Sequence, residues 1–214
     1  PDYANAPLEV CIWPSHWPEA ADTSDIADIV IEAFACDLPP RYVENMAACA
    51  KQPVWLNLEY LTAESWAAGC HAMKSPHPRL PLVKYFFFPG FDEASGGLLR
   101  EADYGERHSR FDESAFRTEF GLSPRAAGEL TVSLFSYPNP ALDDLISAWQ
   151  AWARPERPLR VLCPGSKAPA RTRGSLSLQP LPFLPQKRYD ELLWTCDLNF
   201  VRGEDSFVRA QWAA

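Results

Sequence analysis

Short apolar runs of strand type alternate with amphipathic helices along this chain, and that alternation limits the possible fold more than any other feature. Residues 26–31 are typical of a buried strand, residues 41–50 place their apolar side chains on one helical side, and residues 53–58 indicate another buried strand. A strand, a helix and a strand in quick succession predict a βαβ unit with parallel strands. We therefore expect an α/β protein.

The rest of the chain continues the same alternation. Further strands are predicted at 8–13, 84–88, 129–135, 159–163, 175–179 and 198–201. Further helices are predicted at 61–70 with Thr62 as N-cap, 111–120, 141–152, 189–196 and after Gly203, while 96–110 is expected to be an exposed excursion. The pattern predicts two Rossmann-like halves with a cleft between them, divided into domains 1–128 and 129–214. Ligands would then bind at the carboxyl ends of the strands.

Composition excludes several classes of protein. With 20 basic and 28 acidic residues the formal net charge is −8, which argues against a nucleic-acid binder. No apolar run approaches the roughly 18 residues of a membrane span. The six cysteines form no CxxC pair and the four histidines have no ligand spacing, so we expect buried free thiols, a cytoplasmic location and no metal. The first residue is Pro1 rather than Met, which is consistent with a fragment.

The most polar strand end is the run from Val201 to Arg209. Gly203 allows a tight turn, Asp205 or Ser206 can cap the following helix, and the free amides of its first turn suit an anionic diphosphate. A helix cap with a surface ion pair is the structural alternative.

Aromatic side chains follow two other strands of the same half. Phe183 lies between Pro182 and Pro185, which makes it a rigid platform for a flat base, and the amide of Gln186 could read the edge of that base. Tyr137 brings an aromatic hydroxyl to the end of the strand that precedes it. A hydrophobic loop plug and a core-capping tyrosine are the structural alternatives. GxGxxG, P-loop and GxSxG motifs are not found, so hydride transfer and P-loop phosphoryl transfer are not favoured.

Long blocks of the sequence resemble the bacterial protein-arginine rhamnosyltransferases of elongation factor P, the EarP family. The blocks are Ala27–Pro39, Val54–Leu61, Ser75–Pro81, Lys84–Phe91 and Tyr189–Trp212. The resemblance implies a GT-B glycosyltransferase with two Rossmann-like domains facing a cleft, incomplete in this chain. It further implies dTDP-β-L-rhamnose as the donor, an arginine of elongation factor P as the acceptor, inversion at the anomeric carbon, and neither a metal nor another cofactor.

The same resemblance assigns the site residues. Phe183 would stack on the thymine and Gln186 would contact the nucleotide, while Tyr137 and Phe135 would line the donor pocket. The diphosphate and sugar would be held by Arg202, Gly203, Glu204, Asp205 and Ser206, with Glu204 as the essential acidic residue. The aspartates that include the family's general base have no counterpart here, so we expect these 214 residues to bind nucleotide without catalysing transfer. A catalytically silent nucleotide-sugar-binding module and a GT-B enzyme with another nucleotide sugar stay open as alternatives.

Overall fold

A computed structural model describes residues 9–17, 20, 22–34 and 36–213. The chain divides into two compact units, Pro7–Leu99 and Arg100–Ala214, and each is built on a largely parallel sheet. The boundary lies earlier than the predicted 128/129, because residues 100–128 pack within the C-terminal unit. Tyr104 accepts a 2.8 Å hydrogen bond from Trp194 Nε1, and Arg125 pairs with Asp197 at 2.7 Å.

The N-terminal unit contains a four-stranded sheet in the order β1-β2-β4-β3, in which only β3 is antiparallel to its neighbour. Its elements are β1 (Ile29–Ala33), α1 (Pro40–Ala48), β2 (Val54–Leu58), α2 (Ser65–Cys70), β3 (Lys74–Pro76) and β4 (Val83–Phe87). The predicted βαβ unit is confirmed as β1-α1-β2. Val30 and Trp55 on one face of the sheet pack against Val43 and Met46 of α1.

Two predictions for this unit were wrong in part. Residues 9–13 are irregular rather than a strand, since no described strand offers them a hydrogen-bonding partner, and Leu8 lies outside the described residues. The helix predicted from 61 begins at Ser65, so Thr62 is not its N-cap. Instead, the Thr62 hydroxyl accepts a hydrogen bond from the amide of Glu64 at 3.1 Å, which forms a local turn before the helix.

The C-terminal unit contains a five-stranded sheet in the order β7-β8-β6-β5-β9, in which only β7 is antiparallel. Its elements are α3 (Tyr104–Ser109), α4 (Glu113–Glu119), β5 (Leu130–Leu134), α5 (Ala141–Trp152), β6 (Leu159–Pro164), β7 (Arg171–Arg173), β8 (Leu176–Leu181), α6 (Gln186–Thr195), β9 (Leu198–Phe200) and α7 (Glu204–Ala213). The parallel strands therefore follow the spatial order 3-2-1-4, counted along the chain. This is the strand order of a Rossmann half.

Both faces of this second sheet are covered. Alternate residues of β6 point to opposite sides, so that Leu159 and Val161 belong to one apolar cluster and Leu162 to another. Ile146 and Trp149 of α5 pack on the first cluster. Residues of α4 and α6 build the second cluster together with Leu162.

Most of the elements predicted for the C-terminal unit are confirmed, with shifts of a few residues at their ends. The helix at 141–152 has the predicted bounds. The strand β7 was missed because its residues Arg-Thr-Arg are all exposed and carry no apolar alternation, and helix α3 lies inside the predicted excursion.

All six cysteines are unpaired, as predicted, but none is fully buried, and Cys11 and Cys36 are exposed. Within the described residues we find no helix with the length and apolar character needed to cross a membrane.

Candidate functional site

The order of the strands in the C-terminal unit points to one edge of its sheet. From β5 the chain crosses to β6 through α5 on one face, whereas from β8 it returns to β9 through α6 on the other face. The carboxyl ends of β5 and β9 are hydrogen-bonded neighbours at which the strand order reverses, with Leu134 aligned to Phe200. Ligands of doubly wound sheets bind outside the carboxyl ends of the strands at this kind of switch point.

A cavity of about 490 Å³ opens at that edge. Such a volume suits a small organic ligand, for which pockets of a few hundred Å³ are usual. Its walls include residues that follow three strands: Phe135 and Ser136 after β5, Gly165 after β6, and Phe183 after β8. Arg202, which follows β9, also lines the cavity.

Phe183 is held as an open platform. It is 77% exposed although it follows a strand and the buried Leu181, and Leu184 after it is buried again. A β carbon on Gly165 would lie 3.7 Å from the Phe183 ring, so the glycine backbone passes directly beside that ring. The loop-plug alternative for Phe183 is wrong, because a plug would bury the ring.

Arg202 is the cation of the cavity. Its guanidinium carbon lies 3.4 Å from the centroid of the Tyr137 ring and 4.4 Å from that of Phe135, so both rings fix its position. Its Nε is buried and forms no hydrogen bond, and no carboxylate of the described part of the chain pairs with it. A cation that is positioned by aromatic rings and not neutralised by an acid is suited to bind an anion.

Helix α7 begins directly beside Arg202. Gly203 has φ +76°, which a glycine adopts without strain, and the Phe207 amide donates to the Gly203 carbonyl at 3.1 Å as the first helical hydrogen bond. Helix α7 begins at Glu204. Asp205 and Ser206 therefore lie inside its first turn rather than before it, so their predicted role as N-caps was wrong. The amides of this turn point out of the helix start, as in known anion sites.

The remaining predicted residues take different places. Tyr137 is 62% exposed and contacts the cavity through Arg202 rather than lining it. Gln186 is the exposed first residue of α6 and is not part of the cavity wall. The structure thus brings Phe135, Phe183 and Arg202 together in one cavity, with Tyr137 and the start of α7 adjoining Arg202.

Sequence reasoning missed several residues of this wall. Gly165 was overlooked because the predicted strand stopped at Cys163, although a glycine at a strand end is the available signal. Cys163 also faces the cavity, and burial raises the pKa of its thiol to about 11. This thiol is protonated at neutral pH and is not an activated nucleophile.

A second cavity, of about 580 Å³, lies in the N-terminal unit between α1 and the sheet. Its floor holds Glu32, which accepts hydrogen bonds from Trp55 Nε1 at 3.2 Å and from Lys84. The negative charge of Glu32 is therefore neutralised by Lys84. The positive charge of Arg202, by contrast, has no acidic partner among the described residues. In the described part of the chain, no cluster of three or more His, Cys, Asp or Glu side chains is arranged to hold a metal ion.

Together, the strand order and the cavity place the C-terminal unit among the Rossmann-type α/β proteins that bind ligands at a switch point. The comparisons with known proteins narrow that class. Residues 4–214 match the model of the family described as Elongation-Factor P (EF-P) rhamnosyltransferase EarP. The chain belongs to this family, which confirms the resemblance seen in its sequence.

Individual relatives agree with this assignment. The chain is 46% identical to a protein-arginine rhamnosyltransferase of Pseudomonas putida over 92% of its length, and 37% identical to one of Neisseria meningitidis over 90%. It covers 57% and 53% of those proteins, so it spans little more than half the length of its relatives. A solved structure described as the basis for EarP-mediated arginine glycosylation of translation elongation factor EF-P matches with a TM-score of 0.52 and 40% identity, over 60% of this chain and 47% of that one.

Proposed function

We propose that this chain is part of an inverting GT-B glycosyltransferase that transfers rhamnose from dTDP-β-L-rhamnose to an arginine of elongation factor P. The observation that carries the proposal is the cavity at the switch point, lined by Phe183 and Arg202, in a chain of the EarP family. The C-terminal unit would bind the nucleotide sugar and the N-terminal unit would be the acceptor side. Because the acceptor takes part in translation, the reaction belongs in the cytoplasm.

The nucleotide would use the aromatic wall. The exposed ring of Phe183 offers a flat apolar surface on which thymine stacks, with the Gly165 backbone alongside. Gln186, the first residue of α6 and three positions after Phe183, supplies an amide that can donate to and accept from the base edge.

The diphosphate would be held at Arg202 and the start of α7. Glu204 and Asp205 in the first turn of α7 favour the helix through its dipole but repel a diphosphate. The guanidinium of Arg202 offsets that repulsion, and its stacking on Tyr137 and Phe135 keeps it at the turn. Ser206 adds a hydroxyl donor. These groups stabilise the charge that develops on the departing diphosphate, and the proposal requires no metal.

The acceptor side of the reaction needs a base. A guanidinium has a reference pKa of about 12.5, so making it neutral at pH 7 costs roughly 7 kcal/mol, and attack on the anomeric carbon must be coupled to proton removal by a carboxylate. The resemblance assigns that base to aspartates that this chain does not contain. Glu204 would either orient the acceptor guanidinium through paired hydrogen bonds or stabilise the cationic sugar-like transition state.

Glu204→Gln in the complete protein tests this role. We expect loss of rhamnose transfer, measured as the mass added to elongation factor P, while calorimetry shows dTDP-rhamnose affinity within a few-fold of wild type. Asp144→Asn, an exposed acid in the first turn of α5 that does not line the cavity, is the matched control and should retain transfer. Wild-type turnover of Glu204→Gln would refute the assignment of Glu204.

The alternatives give different results in the same assays. A panel of nucleotide sugars separates dTDP-rhamnose from another donor, because the preferred sugar nucleotide binds tightest and is transferred. A catalytically silent module would bind dTDP-rhamnose and add no mass to elongation factor P under any condition.

A further inference from the structure

Two exposed aromatic rings lie together in the N-terminal unit. Phe34 directly follows β1, and Tyr60 lies two residues after the end of β2. Their ring centroids are 4.8 Å apart, yet Phe34 is 41% exposed and Tyr60 is 56% exposed. Because β1 and β2 are neighbouring parallel strands, the two rings lie at the carboxyl-end edge of this sheet, where α/β proteins bind their ligands.

The backbone of Phe34 has a conformation that a bulky residue rarely adopts. Its φ is +56°, in the left-handed region that favours glycine. Two hydrogen bonds fix this turn: the Phe34 amide donates to the Leu58 carbonyl at 2.9 Å, and the Cys36 amide donates to the Ala33 carbonyl at 3.1 Å. Strained residues of this kind are concentrated at functional sites, and here the strained residue carries an apolar ring that solvent reaches.

The C-terminal unit shows what a tyrosine and a phenylalanine at a sheet edge can hold. There, the guanidinium of Arg202 lies over the rings of Tyr137 and Phe135. Phe34 and Tyr60 have no such cation, since no lysine or arginine of the described part of the chain lies over either ring. Guanidinium groups are the cations that aromatic faces bind most often in proteins. The exposed faces of Phe34 and Tyr60 are therefore open to an arginine of another molecule.

The charge of the N-terminal unit favours a cationic partner. Residues 7–99 contain 12 acidic and 5 basic side chains. An excess of negative charge attracts cations and repels phosphate groups. The aromatic rings of this unit therefore suit the side chain of an arginine better than they suit a nucleotide.

We propose that Phe34 and Tyr60 bind the guanidinium of the acceptor arginine, which packs on the exposed faces of the two rings. The identity of this arginine as a residue of elongation factor P rests on the proposed function. The inference extends that function by naming residues of the N-terminal unit that bind the acceptor. Because the rings contact the flat face of the guanidinium, the N–H groups at its edge stay accessible to the base that must remove a proton.

Tyr60→Leu in the complete protein tests the inference, because leucine keeps apolar bulk but has no aromatic face. Tyr60→Phe, which keeps the ring, is the matched control. Loss of a cation–π contact should weaken the binding of elongation factor P to Tyr60→Leu by about 3- to 30-fold in calorimetry, while Tyr60→Phe binds like the wild type. Elongation factor P with its acceptor arginine replaced by alanine should bind equally to Tyr60→Leu and to the wild type, since the side chain that meets the ring is missing.

Phe34→Gly supplies a second measurement. It should also weaken the binding of elongation factor P, and only when the acceptor arginine is present. Its melting temperature should not fall, because glycine adopts a positive φ without strain and the lost ring is exposed. The affinity for dTDP should be unchanged in all three variants.

Three results would overturn the inference and leave the proposed function standing. They are unchanged affinity for elongation factor P in both Tyr60→Leu and Phe34→Gly, an equal loss of affinity for the alanine acceptor, and a lower melting temperature with unchanged acceptor binding. If the complete wild-type protein neither binds elongation factor P nor adds mass to it, the proposed acceptor is wrong and the inference fails with it.

Discussion

The two units use the same kind of parallel sheet but cover it differently. In the C-terminal unit, apolar clusters lie on both faces of the sheet. In the N-terminal unit the described residues form a core on one face, while Ile29, Ile31 and Val54 on the other face remain 50–58% exposed. Parallel strands are normally buried on both sides. Strands with similar β-branched sequences can therefore differ in burial, because the packing elements and not the strands decide it.

The units also differ in charge. Residues 7–99 contain 12 acidic and 5 basic side chains, whereas residues 100–214 contain 15 of each. The net charge of −8 thus belongs almost entirely to the N-terminal unit. The net charge of the whole chain therefore does not describe the C-terminal unit, which has no net charge. In that unit, an arginine without an acidic partner among the described residues is available for the proposed diphosphate.

The largest expected difference concerns buried acids. Glu129 in the C-terminal unit pairs with Arg160 at 2.8 Å and with Arg117 at 3.1 Å. Glu129→Gln would leave the largely buried Arg160 without its acid, while Arg117 keeps Glu113 at 3.1 Å, and we expect a cost of about 3–5 kcal/mol. Glu32 in the N-terminal unit pairs with Lys84, which is 21% exposed and can reach water, so Glu32→Gln should cost less. Urea unfolding of both variants measures the two losses. Equal losses would remove this contrast.

Acid titration sharpens the same test. Burial raises the pKa of Glu129, but hydrogen bonds from Arg160, the Ala126 amide and Arg117 outweigh it and hold the pKa below the ordinary 4.5. Its stabilisation is therefore complete above pH 4.5 and is lost as the pH falls through the lowered pKa. The stability of Glu129→Gln should depend less on pH in that window. A wild-type slope in the variant would contradict the assignment.

The next effect compares the covered and the open sheet faces. Leu162 is 0% exposed, and Leu162→Ala should cost about 2–5 kcal/mol through lost contacts and a cavity. Ile31 is 58% exposed, and Ile31→Ala should stay within about 1 kcal/mol. Chemical denaturation of the two variants provides the measurement. A large loss for Ile31→Ala would mean that its face is covered in solution.

The smallest expected effect concerns nucleotide binding, which we propose for the C-terminal unit and not for the N-terminal unit. Phe183→Ala removes the proposed stacking platform and should weaken dTDP binding by about 1–3 kcal/mol. Stability should hardly change, because the ring is 77% exposed. Tyr60→Ala, an exposed aromatic of the N-terminal unit, is the control and should leave dTDP affinity unchanged. Calorimetry that finds equal losses would argue against a nucleotide site confined to the C-terminal unit.

Much of the secondary structure was predictable because its signals are local. The helix Ala141–Trp152 carries Leu142, Leu145, Ile146 and Trp149 on one side, and that periodicity fixes its existence and its face. The strand expected at 8–13 failed for the opposite reason, since its sequence favours a strand but a strand also needs a neighbour. The exposed strand Arg171–Arg173 forms only because β8 pairs with it, and no local signal marks it.

The candidate site was predictable in its residue types but not in its assembly. Phe183 between prolines and Gly203 after a strand are visible in the sequence, because ring exposure and a left-handed glycine follow from local turn chemistry. The placement of the Arg202 guanidinium over Tyr137 and Phe135 depends on β5 and β9 being neighbours, although some 65 residues separate them in the chain.

The sequence by itself determined the α/β alternation, the parallel pairing and the aromatic and glycine residues at the strand ends, since all of these depend on periodicity and turn propensity over a few residues. Only the tertiary structure decided that the domain boundary lies at Leu99, that one sheet is covered on both faces, and that the Arg202 guanidinium lies over the rings of Tyr137 and Phe135. These features depend on contacts between distant segments. Such contacts are selected by packing and by the neutralisation of buried charge, which no local pattern encodes.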